Sequence, residues 1–271
     1  MNRMSRRHAA SVMVCFALVA AACGSSSKSS GPTPATASTP TTTAKLSGSL
    51  NVFAAASLTE AFNDEKTALA SSDPGLSLTY DFAGSQALVT QIKNGDPADV
   101  FASADQKNMQ KLIDAGLVET PKTFARNKLE IAVAPGNPKH ITGLADLEKS
   151  GVTLVLEDPS VPAGNYARQA FTKAGLPAPK PASNELDVKS TLAKLTSGDA
   201  DAVIVYVTDV TAAGTKVEGV EIPDAQNVIA TYPIAAIKAS KHLTAAEAFV
   251  DEVVSGSGQQ ALLARGFLAP N

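Results

Sequence analysis

Three short stretches carry small residues with polar groups where an apolar run gives way to a helical pattern. They are Ala54-Ala55-Ala56-Ser57-Leu58, Phe82-Ala83-Gly84-Ser85-Gln86 and Pro159-Ser160-Val161-Pro162-Ala163-Gly164. A serine at the start of a helix can cap its own helix through its hydroxyl. It can equally present that hydroxyl, with the free N–H groups of the first turn, to an anion at the carboxyl end of the strand. With Ser57 and Ser85 so placed at successive strand ends, both readings stand. Nucleophilic chemistry is disfavoured. Ser85 lies in Ala-Gly-Ser-Gln-Ala, without the flanking glycines of a nucleophile elbow. Of the three histidines, His8 falls in the leader, and His140 and His242 fall in polar stretches. No His/carboxylate cluster has metal-ligand spacing. Asp96, Asp99 and Asp105 read as turn and capping residues around Pro97.

The elements that must hold these turns alternate along the chain. Apolar strand patterns at 50–54, 76–83, 100–102, 129–134, 153–156, 202–207 and 234–237 are interleaved with helical patterns. The helices are expected from Ser57 and over 86–94, 106–115, 164–174, 187–197, 243–254 and 258–265. Such alternation predicts an α/β fold with mostly parallel sheets flanked by helices. In such sheets ligands sit at the carboxyl ends of the strands.

Composition narrows the function classes. The 271 residues are 44% hydrophobic and 18% charged, with 23 Lys+Arg against 26 Asp+Glu and a formal charge of -3. That suffices for globular cores and excludes a disordered chain or coiled coil. The acidic balance, the absence of Trp and an aromatic content of 5% argue against nucleic-acid binding.

Residues 1–22 read as a signal peptide. Arg3, Arg6 and Arg7 precede Ala9–Ala22, an uncharged, mostly apolar stretch too short to span a bilayer. Ala20-Ala21-Ala22 abutting Cys23 resembles a lipobox, with Ala20 where Leu is usual. An ordinary signal peptide cut nearby is the alternative reading, and Arg6-Arg7 also fits a twin-arginine signal. Residues 24–45 contain only Gly, Ser, Lys, Pro, Thr and Ala and read as a flexible tether after a lipidated Cys23. Two or more acyl chains there give stable attachment. Cys15 leaves with the leader, so the body has no disulfide, thiolate metal site or catalytic cysteine.

The body resembles the substrate-binding lipoprotein or periplasmic component of molybdate ABC importers, a branch of the type II binding proteins. The likeness rests on Val52-Phe53-Ala54-Ala55-Ala56-Ser57-Leu58-Thr59, on Asp96 to Asp105, on Asp158-Pro159 with Val161-Pro162-Ala163-Gly164-Asn165-Tyr166-Ala167, and on Ile204-Val205-Tyr206. It implies two α/β lobes around a cleft: 46–126 plus 232–271, and 127–231. It implies oxyanion contacts from Ser57 and Ser85 through hydroxyl and N–H, from the N–H groups of Ala163 and Val188, and from the Tyr206 hydroxyl. Val207-Thr208-Asp209 departs from the small residue plus serine expected after the tyrosine. Glu185 and Asp187 either reach the ligand in an expanded site or complement the dipole of the following helix.

The implied protein is a monomer, extracytoplasmic and membrane-anchored, that delivers molybdate or tungstate to an ABC permease. It is neither an enzyme nor a user of cofactors or direct metal ligands. Another anion on the same scaffold, such as sulfate or a small organic anion, is the alternative ligand. The chemistry agrees with the resemblance: molybdate, tungstate and sulfate are deprotonated dianions that only accept hydrogen bonds, so their site needs donors and no free carboxylate.

Overall fold

The computed structural model describes residues 46–270. The leader, Cys23 and the tether lie outside the described residues. The first elements are β1 (Gly48–Ala55), a 3-10 turn (Ala56–Leu58), α1 (Thr59–Ser72), β2 (Leu76–Ala83), α2 (Ser85–Asn94), β3 (Val100–Ala102), α3 (Gln106–Asp114) and β4 (Lys122–Asn127). Next come β5 (Leu129–Val133), β6 (Leu154–Glu157), α4 (Pro162–Lys173), β7 (Ser183–Glu185), α5 (Val188–Thr196), β8 (Ala202–Tyr206), α6 (Val207–Ala213) and β9 (Glu218–Glu221). β10 (Ala230–Ala236), α7 (Leu243–Ser255) and α8 (Ser257–Ala264) complete the chain. Among the described residues no helix is long and apolar enough to cross a membrane.

The strands form two five-stranded sheets, ordered β2-β1-β3-β10-β4 and β7-β6-β8-β5-β9. The two-lobed α/β architecture matches the expectation, with one difference. Each sheet is mixed: β1, β2 and β3 pair parallel, as do β6, β7 and β8, whereas β10 and β5 run antiparallel to both of their neighbours. The reason is connectivity. The chain passes from β4 to β5 through Lys128 alone and returns by β10, and strands that cross between lobes enter without a helical crossover.

β1 shows why its sequence is nearly continuously apolar. Leu50, Val52 and Ala54 point into the main core with Phe62 of α1 and Phe249 of α7, while Phe53 points to the opposite face with Leu88, Phe101 and Met109. A strand covered on both faces loses the polar alternation of a half-exposed one. The crossings are pinned by buried amides. Asn227 accepts from Leu129 N–H (3.1 Å) and donates to Leu129 O (2.8 Å), and Asn127 donates to Thr208 Oγ1 (2.8 Å). Asn127 pairs with Ala230 in the first sheet.

Candidate functional site

Strand register brings the two serines together. β1 and β2 pair in parallel with Ala55 level with Ala83. Two residues beyond those partners come Ser57 in the 3-10 turn and Ser85 at the first position of α2. In the second sheet, Glu157 of β6 is level with Glu185 of β7, so the turns into α4 and α5 emerge side by side, and Tyr206 ends β8 at the start of α6. Ser57, Ser85, Ala163, Val188 and Tyr206 all line one cavity, which holds about 210 Å³ of space between atoms, part of it open to solvent. All five are buried.

Two features of the turns fix this geometry. A Cβ on Gly164 would lie 2.3 Å from Asp158 O and 2.5 Å from Glu157 O, so only glycine lets α4 start this close to the end of β6. At Gly84 a Cβ would lie 2.3 Å from the Leu186 carbonyl oxygen of the second lobe. There the lobes meet, and Gln86 Nε2 donates to Leu186 O across the contact (2.9 Å).

Neither serine caps a helix. The 3-10 turn, α1 and α2 start without a side-chain cap. Ser85 Oγ accepts from the N–H of Ala104 (3.0 Å), which leaves its own proton free to donate. Ser57 Oγ lies 3.0 Å from the Tyr232 hydroxyl. The Tyr206 hydroxyl is buried and has no hydrogen-bond partner among the described residues. Burial above all pushes its pKa well above the ordinary tyrosine value, so it remains a protonated donor. The N–H groups of Ser85, Ala163 and Val188 belong to first helical turns, where no partner exists within the helix. The partial positive charge of those helix ends adds to the donor character.

The cavity lining contains no Lys or Arg and one carboxylate, Asp187. Asp187 is the cap of α5: Oδ1 accepts from Lys189 N–H and Ser190 N–H at 2.8 Å, and Oδ2 accepts from the Ser190 hydroxyl at 2.8 Å. Glu185 lies away from the lining and accepts from the Ser183 hydroxyl (2.7 Å). Two of the three aspartates of the Pro97 region hold local structure. Asp99 accepts from Asn51 N–H, and Asp105 caps α3 through Asn108 N–H. Among the described residues no His/Cys/Asp/Glu group could hold a metal ion.

The sequence reading did not find Tyr232, Ala104, Asp209 or the helix α6. Asp209, in the first turn of α6, accepts the Tyr206 N–H through its Oδ2 at 3.2 Å. The spacing of three residues after Tyr206 was the available signal. Tyr232 and Ala104 act through long-range contacts that leave no local pattern. Behind the cavity lies Glu157, fully buried at the end of β6. Burial raises its pKa to about 8; its own backbone N–H pulls against this, and Asp209 adds to it.

Residues 50–268 match the family model described as bacterial extracellular solute-binding protein. The molybdate-binding protein ModA of Mycobacterium tuberculosis (strain ATCC 25618 / H37Rv) is 40% identical over 261 residues, covering 96% of each chain. The molybdate-binding protein ModA of Escherichia coli (strain K12) is 36% identical over 217 residues, 75% of this chain and 82% of that one. Among solved structures, the substrate-binding domain of a putative molybdenum ABC transporter from Clostridium difficile superimposes with a TM-score of 0.63 at 33% identity, over 82% of this chain and 99% of that one. A buried, donor-lined cavity between two lobes and this degree of likeness lead to one assignment: the chain belongs to the bacterial extracellular solute-binding proteins, and among them to the ModA family.

Proposed function

We propose that this chain captures molybdate, and tungstate of nearly the same size, in the cavity between its lobes and delivers it to an ABC permease. The contacts are the hydroxyl and N–H groups of Ser57 and Ser85, the N–H groups of Ala163 and Val188, and the Tyr206 hydroxyl. The observation that carries this reading is the buried donor set itself, two serines that cap nothing and a tyrosine hydroxyl with no other partner, facing one cavity whose single carboxylate is occupied in capping a helix. Capping α5 takes up three of the roughly four acceptor positions of Asp187, the one carboxylate of the lining, so little acceptor capacity is left for a protonated oxyanion, which favours a full dianion. Hydrogen bonds to a charged group contribute roughly 1.5–3 kcal/mol each, so about six offset dianion desolvation and leave submicromolar affinity without a cationic side chain.

The protein acts by binding. The serine hydroxyls are engaged with Tyr232 and the Ala104 N–H, and His140 and His242 are exposed, so among the described residues no histidine stands behind either serine as a general base. It needs no cofactor and works as an extracytoplasmic monomer held to the membrane through acylated Cys23. Titration calorimetry tests the site. Ser57→Ala and Ser85→Ala each weaken molybdate binding about 10- to 100-fold while the fold is kept, the loss of one charge-assisted hydrogen bond. Unchanged affinity in both variants removes the site assignment. A thermal-shift series with molybdate, tungstate, sulfate and phosphate identifies the anion. Stabilisation by sulfate alone moves the assignment to that ligand.

A further inference from the structure

The donors of the cavity come from both lobes, so ligand residence depends on what holds the lobes together around it. One charged side chain outside the cavity lining reaches across them. Lys189 follows Val188 in α5, and its Nζ lies 3.0 and 2.9 Å from the two carboxylate oxygens of Glu60 in α1 of the first lobe. The same Nζ lies 3.2 Å from Asp209 Oδ1 in α6. Two of the ammonium protons go to Glu60, and the Asp209 oxygen stands within ion-pair distance of the same charge. Glu60 stands three residues after Ser57, Asp209 three after Tyr206 and Lys189 one after Val188. Each member of the cluster is therefore within one turn of a proposed ligand contact, on three different helices.

The charges suit a junction rather than a loose surface pair. Asp209 is fully buried, and the Lys189 and Glu60 side chains are one-third exposed. Burial, which disfavours the ammonium, is outweighed by Asp209 and Glu60, so Lys189 stays charged with its pKa raised. Lys189 thus counters the charge of a buried carboxylate in its own lobe and hydrogen-bonds a second carboxylate in the other. Other ligand-independent contacts between the lobes are uncharged, among them the Gln86–Leu186 hydrogen bond and the edge-on packing of the Tyr206 and Tyr232 rings.

We propose that Lys189 is a positioning residue that latches the two lobes over the bound anion without touching it. This deepens the binding reading above and rests on it for the ligand, though the latch itself concerns the lobes alone. Lys189→Met strands the buried Asp209 and risks the fold, so the decisive variant is Glu60→Ala, which cuts only the cross-lobe arm. In stopped-flow experiments with molybdate, Glu60→Ala dissociates about three- to tenfold faster, association changes less than twofold, and the difference shrinks at high salt because the pair is partly exposed. A merely structural role leaves the off-rate and its salt dependence as in wild type, and that result overturns the latch. If wild type binds no molybdate, the binding reading fails, and small-angle scattering of the ligand-free proteins still judges the latch. A larger radius of gyration in Glu60→Ala than in wild type supports it, and identical scattering overturns it.

Discussion

Glu157 offers a prediction that needs no ligand. Its carboxyl is fully buried at the end of β6, close enough to Asp209 and Asp187 to feel both charges, and its pKa is raised from the ordinary 4.5 to about 8, burial being the largest cause. Above pH 4.5 the unfolded chain releases this proton while the folded chain keeps it, so the folded state binds more protons across that window. Stability conferred by the protonated form is complete below pH 4.5 and is lost as pH climbs toward 8. One proton corresponds to about 1.4 kcal/mol per pH unit, so wild type loses on the order of 2 kcal/mol between pH 5.5 and 7.5 from this group alone. Asp209, raised to about 6 by burial against the pull of Lys189, adds a slope of the same sign. That contribution is common to wild type and a Glu157→Gln variant. Urea unfolding of the two proteins at a series of pH values isolates Glu157 in their difference. The variant gains on wild type as pH rises from 5.5 to 7.5. Parallel stability curves across that range refute a buried, protonated Glu157.

Two substitutions separate binding from folding. Tyr206→Phe removes a buried hydroxyl that lacks a partner, so the ligand-free protein melts at the same temperature or higher, while calorimetry shows molybdate affinity down about tenfold or more. Gly84→Ala puts a methyl 2.3 Å from the Leu186 carbonyl of the opposite lobe at an otherwise permissive φ of -61°. Its ligand-free stability stays within about 1 kcal/mol of wild type by urea unfolding, whereas molybdate binding drops at least tenfold because the lobes can no longer approach. Wild-type affinity in that variant contradicts the cross-lobe contact described here.

The parallel half of each sheet was legible because β1, β2 and β6 are apolar runs followed by small residues and a helical pattern. Three of the edge strands were less so. β4, β7 and β9 are short or polar, and the apolar run 202–207 absorbs Val207, which conceals that α6 begins there. Ser57 and Ser85 announced themselves by residue type at strand ends. Ala163 and Val188 did not, because a backbone N–H belongs to almost every residue and only family likeness picks these two out. The Lys189–Glu60 pair joins residues 129 positions apart, and no local pattern encodes such a meeting. Tyr232 against Ser57, 175 positions apart, is hidden for the same reason.

The sheet built from β5 to β9 comes from one uninterrupted stretch whose ends are fastened to each other, Asn227 clasping the backbone of Leu129. Such a stretch is a cassette. It can be exchanged for the corresponding segment of a relative at two adjacent cut points, replacing three of the five proposed anion contacts in a single step while the serine-bearing half remains intact, which makes ligand preference transplantable by chimera rather than by scattered point changes.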